Sequence, residues 1–298
     1  MNKKALVIDG NSLCYRAFYA TLNQADYYKK NNYPVVNALK LVLLILLKLL
    51  HEQSYDYALV AFDHEKKTNR HNLFTDYKAG RKPMPEDLVN QLPLIKNAIK
   101  ILGISVISIQ GIEADDIIGS FCKKMNSQSI DVEVYTSDRD LLQLVNEHTA
   151  INIFQTGISM IKKITLENFR DNFFGLEPDQ VCDFKAIAGD NSDNLGGVKG
   201  IGPKTAAMLI KRFGSIDKIY ASLDQLAPSQ SQKFITHKEH AYLCKTLCII
   251  QLDAIDHVDM HQLQKLDIDS FRLEQIIRKY HFKGMDKYLI KEQMTFFN

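Results

Sequence analysis

Short apolar runs alternate with longer amphipathic stretches through the first half of the chain. Five runs have the length of buried strands, at 5–8, 57–62, 105–109, 132–135 and 150–154. Between them the pattern predicts four helices, at 35–51, 86–102, 113–125 and 141–145. Strands that alternate with helices indicate a parallel sheet covered on both faces, so the predicted fold class is α/β.

The second half of the chain has a different pattern. From about Thr165 the strand signal fades and amphipathic helices take over. A length of 298 residues suits two domains better than one small core. The pattern therefore predicts an α/β domain at 1–170 and a mostly helical domain at 171–298.

Composition and charge narrow the function classes only a little. A formal net charge of +2 excludes a uniformly basic coat but allows acidic and basic residues to be segregated. The five cysteines include no CxxC pair, and Cys244 and Cys248 lie in an apolar run, which predicts buried thiols in a reducing cytosol. The most apolar stretch, 35–50, contains Lys40 and Lys48, so we expect a buried helix and a cytoplasmic protein without a membrane span.

Acidic residues follow three of the predicted strands. Asp9, Asp63 and Asp138 each come at or just after a strand end. A single aspartate there is commonly a turn residue or a helix cap. Because the carboxyl ends of parallel strands meet at one edge of a sheet, three together indicate a site.

Further acids raise the number of candidate metal ligands to nine. The nine are Asp9, Asp63, Glu113, Asp115, Asp116, Asp138, Asp140, Asp190 and Asp193. If they converge, their mutual repulsion requires bound cations or protonation. Oxygen ligands without histidine or cysteine favour Mg²⁺ or Mn²⁺ over zinc, and their number suggests two ions that act together in phosphoryl transfer.

Positive charge concentrates in the polar stretch 68–85. A cluster of this kind is commonly a solvated loop, but at the rim of an acidic site it binds phosphate. Tyr77, within it, has two interpretations: stacking on a base or packing in the interior. The candidates from this stretch are Arg70, Tyr77, Lys78, Arg81 and Lys82.

A glycine-rich segment, GVKGIGPKT, precedes a predicted helix. A Gly-x-Gly turn at a helix start directs backbone N–H groups at an anion such as phosphate. The spacing is not that of a Walker A loop, so nucleoside triphosphate binding is not predicted. An ordinary tight turn is the alternative. The candidate contacts with a nucleic-acid backbone are Lys199, Gly200, Gly202, Lys204 and Thr205.

Several ordered motifs together resemble the 5′-nuclease family, which comprises the 5′–3′ exonuclease domain of bacterial DNA polymerase I and the flap endonucleases. The motifs are VIDGNSLCYRAF, AFD, RHNLFTDYKAGR, GIEADDIIG, TSDRDLLQL and GDNSDNLGGVKGIGPKTA. The resemblance implies a PIN-like domain, with a mostly parallel central sheet flanked by helices and a helical arch at about 68–100. It also implies a helix–three-turn–helix domain with its hairpin at about 189–214.

The resemblance also implies roles for individual residues. The acids up to Asp116 hold one metal, and those from Asp138 to Asp193 hold the second. Lys78 and Arg81 face the scissile phosphate, Arg16 is a basic residue of the substrate site, and the hairpin binds duplex DNA with a potassium ion.

The implied activity is two-metal hydrolysis at 5′ ends, nicks or flaps of DNA and of RNA–DNA primers. The implied protein is a monomer that works beside a separate DNA polymerase, because the chain stops at Asn298 without polymerase sequence. One departure is Gly196, where the family usually has proline. The alternatives are a non-catalytic DNA-structure-binding protein, a PIN-type ribonuclease, and a phosphotransfer domain that uses Asp9 covalently.

Overall fold

A six-stranded sheet forms the centre of the first half of the protein. The computed structural model describes residues 3–155, 160–285, 287 and 288. The strands are β1 (Lys4–Asp9), β2 (Tyr57–Ala61), β3 (Ser105–Ile107), β4 (Asp131–Thr136), β5 (Thr149–Phe154) and β6 (Ile161–Ile164). Their order is β3-β2-β1-β4-β5-β6, and the first five are parallel. The five predicted strands are confirmed.

The sixth strand was not predicted. β6 pairs antiparallel with β5 at the edge of the sheet. Three of its four residues are exposed, so it lacks the apolar run that marks a buried strand.

Helices cover both faces of the sheet. In this half they are α1 (Gly10–Ala20), α2 (Leu22–Lys30), α3 (Asn37–Glu52), α4 (Asn69–Leu73), α5 (Glu86–Val89), α6 (Leu92–Ile101) and α7 (Ala114–Asn126). Alternate residues of β1 enter two separate cores: Ala5 and Val7 pack towards α7, whereas Leu6 and Ile8 pack towards α3 and α6. The predicted arch segment holds α4, α5 and α6 joined by turns.

The helices of the structure differ from the predicted ones at three points. Asp-Gly-Asn at 9–11 is typical of a turn, but α1 starts there because the Asp9 carboxylate caps the Ser12 N–H at 2.9 Å. The predicted helix 86–102 is broken between α5 and α6, where Pro93 supplies no N–H for the preceding turn. The short helix predicted at 141–145 is present as a 3₁₀ helix, Asp140–Leu144, rather than an α-helix.

The second half is helical, as predicted. It contains α8 (Phe169–Asn172), α9 (Val181–Ala188), α10 (Pro203–Phe213), α11 (Ile216–Ala221), α12 (Pro228–Thr236), α13 (Lys238–Cys248) and α14 (Ser270–Lys279). Cys244 and Cys248 are buried, as expected. Leu273 and Ile277 of α14 return to the core beside α3 and α6. The boundary near 170 stays a prediction, and 289–298 lie outside the described residues.

Among the residues that the structure describes, no helix is long and apolar enough to cross a bilayer. The helix predicted from the most apolar stretch is α3, whose two ends are close to the predicted 35–51. Nine of its residues are buried, which places its apolar surface in the protein core.

Candidate active site

A cavity of about 880 Å³ opens at the carboxyl ends of the strands. β1 lies between β2 and β4 in the sheet, so the three strand ends that carry Asp9, Asp63 and Asp138 are neighbours. All three aspartates line the cavity, together with Asp115 from α7 and Asp190 from the loop after α9. The structure thus brings five of the nine predicted acids to one surface.

Asp9 is the most deeply buried carboxylate of this group. It accepts hydrogen bonds from the Ser12 N–H and the Thr136 hydroxyl, both at 2.9 Å. Burial raises the pKa of Asp9 to about 7, against the lowering effect of the Ser12 bond, and repulsion from Asp63 and Asp138 adds to the rise. Burial and the neighbouring carboxylates therefore favour the protonated form of Asp9 unless a cation is bound.

Asp63 and Asp115 link the sheet to α7. Asp63 accepts from the Asn11 amide at 2.6 Å and from the Ala114 N–H at 2.8 Å, which fixes the first turn of α7 against β2. Burial, followed by repulsion from Asp138 and Asp9, raises the pKa of Asp115 well above its usual value. The carboxylates of the cavity therefore carry more negative charge than the protein alone neutralises, and this fits a site for cations.

Positively charged side chains lie between the remaining acids. Lys78 donates to Glu113 at 2.9 Å, and Arg81 donates to Asp193 at 2.6 Å. Despite burial, Lys78 and then Arg70 hold the pKa of Glu113 below its usual value. In this arrangement no group of three or more His, Cys, Asp or Glu side chains within the described ranges has metal-binding geometry.

Lys185 makes the same kind of contact with two further acids, Asp140 and Asp190. Its ammonium is paired with Asp140 and lies 2.6 Å from Asp190. Lys185 and Arg139 both line the cavity, and sequence reasoning missed both. A lysine within the apolar run CDFKAIA was the available signal, because a lysine is rarely buried without a partner.

Arg70 and Asp116 lie in the protein interior and do not line the cavity. The Arg70 guanidinium forms two bonds with Asp116, at 2.6 and 2.7 Å, and also donates to the Leu247 and Ile249 carbonyls. Their predicted roles in DNA and metal binding stay predictions. The contacts observed are structural, since they join α4 and α7 to the end of α13.

Tyr77 is also buried, with only 3% of its surface exposed. Its hydroxyl, which has one proton to donate, lies 2.9 Å from the Asp193 carboxylate and 3.2 Å from the Glu113 carboxylate. Of the two interpretations given to Tyr77, packing is the one the geometry favours. Lys82, five residues further on, is exposed at the rim of the same stretch.

Arg16 of α1 contacts the residues that follow β4 and β5. The Arg16 guanidinium donates to the Ser137 hydroxyl and to the Gln155 carbonyl. Ser137 lines the cavity next to Asp138. Arg16 itself does not line the cavity, and its role in the substrate site stays a prediction.

The glycine hairpin connects the acidic loop to α10. Gly200 has a φ of +82°, which favours glycine, and Gly202 is the N-cap of α10 without a side-chain cap. Lys199, Gly200, Gly202 and Lys204 are exposed, and Thr205 is half-buried. The first turn of α10 therefore presents backbone N–H groups to solvent, as a phosphate site requires.

Gly196, the departure from the family pattern, lies next to His240 of α13. A Cβ at position 196 would approach His240 Nε2 to 3.2 Å, which is close enough to require the ring to move. The missing side chain at 196 thus accommodates the histidine of the neighbouring helix.

An α/β sheet with clustered carboxylates at its strand ends, followed by a helix–hairpin–helix, defines the class of PIN-like nucleases. Two family models match the chain: the 5′–3′ exonuclease N-terminal resolvase-like domain at 4–173 and the 5′–3′ exonuclease C-terminal SAM fold at 176–271. The chain belongs to the 5′–3′ exonuclease family.

Relatives extend over nearly the whole chain. It is 38% identical to the 5′–3′ exonuclease of Mycoplasma pneumoniae over 95% of this chain and 97% of that protein. It is 42% identical to the Mycoplasma genitalium 5′–3′ exonuclease over 88% and 92%. With DNA polymerase I of Bacillus subtilis the identity is 35% over 96% of this chain, but over only 32% of that polymerase.

Solved structures show the same fold at low identity. The 5′-exonuclease of bacteriophage T5 with bound zinc superposes with a TM-score of 0.70, at 20% identity, over 88% of this chain and 96% of that one. The T5 flap endonuclease in a product complex with DNA and metal ions superposes with a TM-score of 0.67, at 19% identity, over 96% and 99%. These neighbours confirm the fold predicted from the motifs.

Proposed function

We propose that this 5′–3′ exonuclease hydrolyses phosphodiesters near 5′ ends and flap junctions of DNA with the help of two divalent cations. The observation that supports this most directly is the shared cavity, in which five carboxylates from β1, β2, β4, α7 and the loop after α9 face Lys78, Arg81 and Lys185. Acidic side chains that can bind cations lie beside basic side chains that can bind phosphate, as hydrolysis of a nucleic-acid backbone requires.

The acids divide into two sets in this proposal. Asp9, Asp63 and Asp115 of the cavity, with Glu113 and Asp116 behind them, would hold one cation. Asp138 and Asp190, with Asp140 and Asp193, would hold the other. When bound, Mg²⁺ or Mn²⁺ supplies charge for the attacking and leaving oxygens of phosphoryl transfer.

Lys78 and Arg81 are the proposed catalytic residues, and their positive charges would face the scissile phosphate. In the structure they are held by Glu113 and Asp193. Arg81 keeps 45% of its side chain exposed, so it can turn from its carboxylate to a phosphate without leaving the cavity. Lys78 is more enclosed and orients the Glu113 carboxylate as well.

The hairpin between α9 and α10 is the proposed grip on duplex DNA. The proposal includes DNA contacts from Arg16 and Lys82. The predicted DNA contacts of Arg70 and Tyr77 stay predictions, because both side chains are buried. A potassium ion at Gly200 stays part of the proposal. Such an ion would share the Gly200 carbonyl with Lys233, whose ammonium donates to it at 3.0 Å.

We infer the cellular setting from the same chemistry. Removal of 5′ flaps and of RNA–DNA primer segments, as a monomer beside a separate DNA polymerase in the cytoplasm, is the proposed task. The T5 structures contain divalent metal ions and DNA, which supports cations and DNA as the partners of the related fold.

Cleavage of end-labelled flapped, nicked and blunt duplexes with Mg²⁺ and with Mn²⁺ tests the function. We expect a short 5′ product from the flapped or nicked duplex, and its length locates the cut. Asp115→Ala should abolish cutting and retain DNA binding, whereas Asp224→Ala, an exposed aspartate of the helical half, should leave both unchanged.

Three other results would each favour a different function. Binding without cutting by the wild type would support a DNA-structure-binding protein. Faster cutting of single-stranded RNA than of flapped DNA would support a ribonuclease. A trapped phosphate on Asp9 would support phosphotransfer.

A further inference from the structure

Three phenylalanines form a stack on one wall of the catalytic cavity. The Phe174 ring lies against Phe184, with centroids 4.9 Å apart and planes inclined by 27°. Phe173 packs edge-on against both rings. Phe173 and Phe184 are buried, but Phe174 is 44% exposed. One face of the Phe174 ring therefore packs against Phe184, and the rest of the ring is exposed to solvent.

The backbone holds Phe174 in a conformation that a bulky residue rarely adopts. Its φ is +54°, in the left-handed region, and Gly175 follows at +69°. Such a position after a helix end commonly holds glycine or asparagine. An unfavourable conformation that keeps an aromatic ring exposed beside a catalytic cavity points to a function for the ring.

The stack lies close to the carboxylates. Phe173, Phe174 and Phe184 line the same cavity as Asp190 and Lys185. Phe184 precedes Lys185 on α9, and the end of α9 at Ala188 is about 6 Å further along the helix axis at 1.5 Å per residue. Because the rings and Asp190 line one cavity, we expect the rings to face nucleotides close to the cut.

We propose that Phe174, supported by Phe184, is a stacking platform for an unpaired nucleobase of the strand that is cut. The proposal rests on the nuclease function proposed above and adds a positioning residue to it. Stacking on an aromatic ring accepts any base, because every base has a π-face. It therefore suits an enzyme that must place different sequences against the same carboxylates.

The aromatic platform and the basic residues of the cavity have complementary tasks in this arrangement. Lys78 and Arg81 attract the phosphate, but contacts with the phosphate alone leave the attached base free to rotate. A base held flat on Phe174 fixes that rotation. Tyr77, the aromatic residue singled out from the sequence, cannot do this because its ring is buried and its hydroxyl is bonded to Asp193.

Fluorescence of 2-aminopurine measures the stacking directly, since stacking quenches this base. Flapped duplexes carry it at successive positions around the cut, and Ca²⁺ replaces Mg²⁺ to slow cleavage. We expect quenching at one or two positions with the wild type and with Phe174→Tyr. Phe174→Leu should lose the quenching and bind about 5- to 150-fold more weakly, the range that corresponds to one base on an aromatic ring.

An abasic substrate separates stacking from a structural role of the ring. Removal of the quenched base should weaken binding by the wild type but have little further effect on Phe174→Leu, because both changes delete the same contact. Phe271→Leu, on exposed α14, is the matched control and should behave as the wild type. Thermal melting of each variant checks that the fold is retained.

The possible results distinguish a failure of the stacking platform from a failure of the nuclease function. Equal quenching with Phe174→Leu, or an abasic penalty that is the same in both proteins, would overturn the platform while the nuclease function stands. If the wild type binds flapped DNA but cuts none in Mg²⁺, the proposed function fails on its own, whatever the quenching. If it binds no DNA at all, both proposals are wrong.

Discussion

The Arg70 guanidinium and the Asp116 carboxylate form a two-bonded ion pair in the protein interior. Their bonds measure 2.6 and 2.7 Å, and less than a tenth of either side chain is exposed. Asp116 also accepts from the Gln251 N–H at 2.8 Å. The pair therefore connects α4, α7 and the chain after α13, and it explains how two residues from nuclease-like motifs stabilise the joint between the two halves.

Asp116→Ala is expected to lower the free energy of unfolding by about 3–5 kcal/mol, because it leaves a buried guanidinium without its main partner. Urea denaturation measures the loss. Adding Arg70→Met should recover part of it, since the unpaired charge is then gone. Glu274→Ala removes the exposed pair with Arg278 on α14 and, as the control, should cost less than about 1 kcal/mol. Reduced Mg²⁺ affinity of Asp116→Ala at unchanged stability would contradict this structural role.

Lys185→Met is expected to increase the stabilisation by Mg²⁺. In the metal-free protein the ammonium neutralises Asp140 and Asp190, so its removal lowers the melting temperature in EDTA and leaves two carboxylates available to a cation. A tenfold gain in affinity corresponds to about 1.4 kcal/mol. Thermal melts with and without Mg²⁺ compare the two proteins.

A second lysine provides the control for that measurement. Lys245 also joins two aspartates, Asp183 and Asp217, but away from the cavity. Lys245→Met should destabilise the protein equally with and without Mg²⁺. Equal stabilisation by Mg²⁺ in Lys185→Met and the wild type would show that Lys185 does not compete with the cation.

Much of the fold and part of the site could be predicted from the sequence, because their signals lie in short, continuous stretches of the chain. The apolar runs of β1 to β5 are each long enough to identify a buried strand, and strand ends of a parallel sheet must meet, so the convergence of Asp9, Asp63 and Asp138 followed. α1 was missed because Asp-Gly-Asn is typical of turns, although the spacing of Leu13, Cys14, Ala17 and Phe18 marks its buried face.

The partners of the charged residues could not be predicted in this way. Arg70 and Asp116 are 46 residues apart, and no local pattern shows that they meet. Likewise, the exposure of Phe174 depends on how the turn after α8 packs on α9, which composition and periodicity do not encode. Position on a strand end is thus predictable, whereas pairing across the fold requires the structure.

The stability of the metal-free protein is expected to fall as the pH rises from about 4 to 7. The pKa of Asp9 is about 7 in the folded protein, against 3.8 for an aspartate of the unfolded chain, so folding favours the protonated form. The stabilisation from protonated Asp9 is fully present below the pKa of the unfolded chain and is lost as the pH rises through the pKa of the folded protein. For a three-unit shift the loss is up to about 4 kcal/mol. The raised pKa of Asp115 acts in the same direction.

Thermal melts in EDTA between pH 4 and 8 test this dependence. Asp9→Asn should flatten the profile, because the amide is neutral throughout and the Thr136 hydroxyl can turn to accept a bond from it. Mg²⁺ should restore stability mainly at the high end of the range, where protons no longer compete. A wild-type profile that rises with pH would contradict the charge crowding inferred for the cavity.

Lys204 is expected to contribute one phosphate contact to duplex binding. It is exposed in the first turn of α10, where the backbone N–H groups and the helix dipole also favour an anion. Lys204→Ala should reduce the slope of log K against log salt by about 0.9 and weaken binding to all sequences alike. Fluorescence anisotropy with a duplex at several salt concentrations measures the slope, and Lys100→Ala, an exposed lysine at the end of α6, is the control. An unchanged slope for Lys204→Ala would mean that the hairpin does not hold the duplex by this turn of α10.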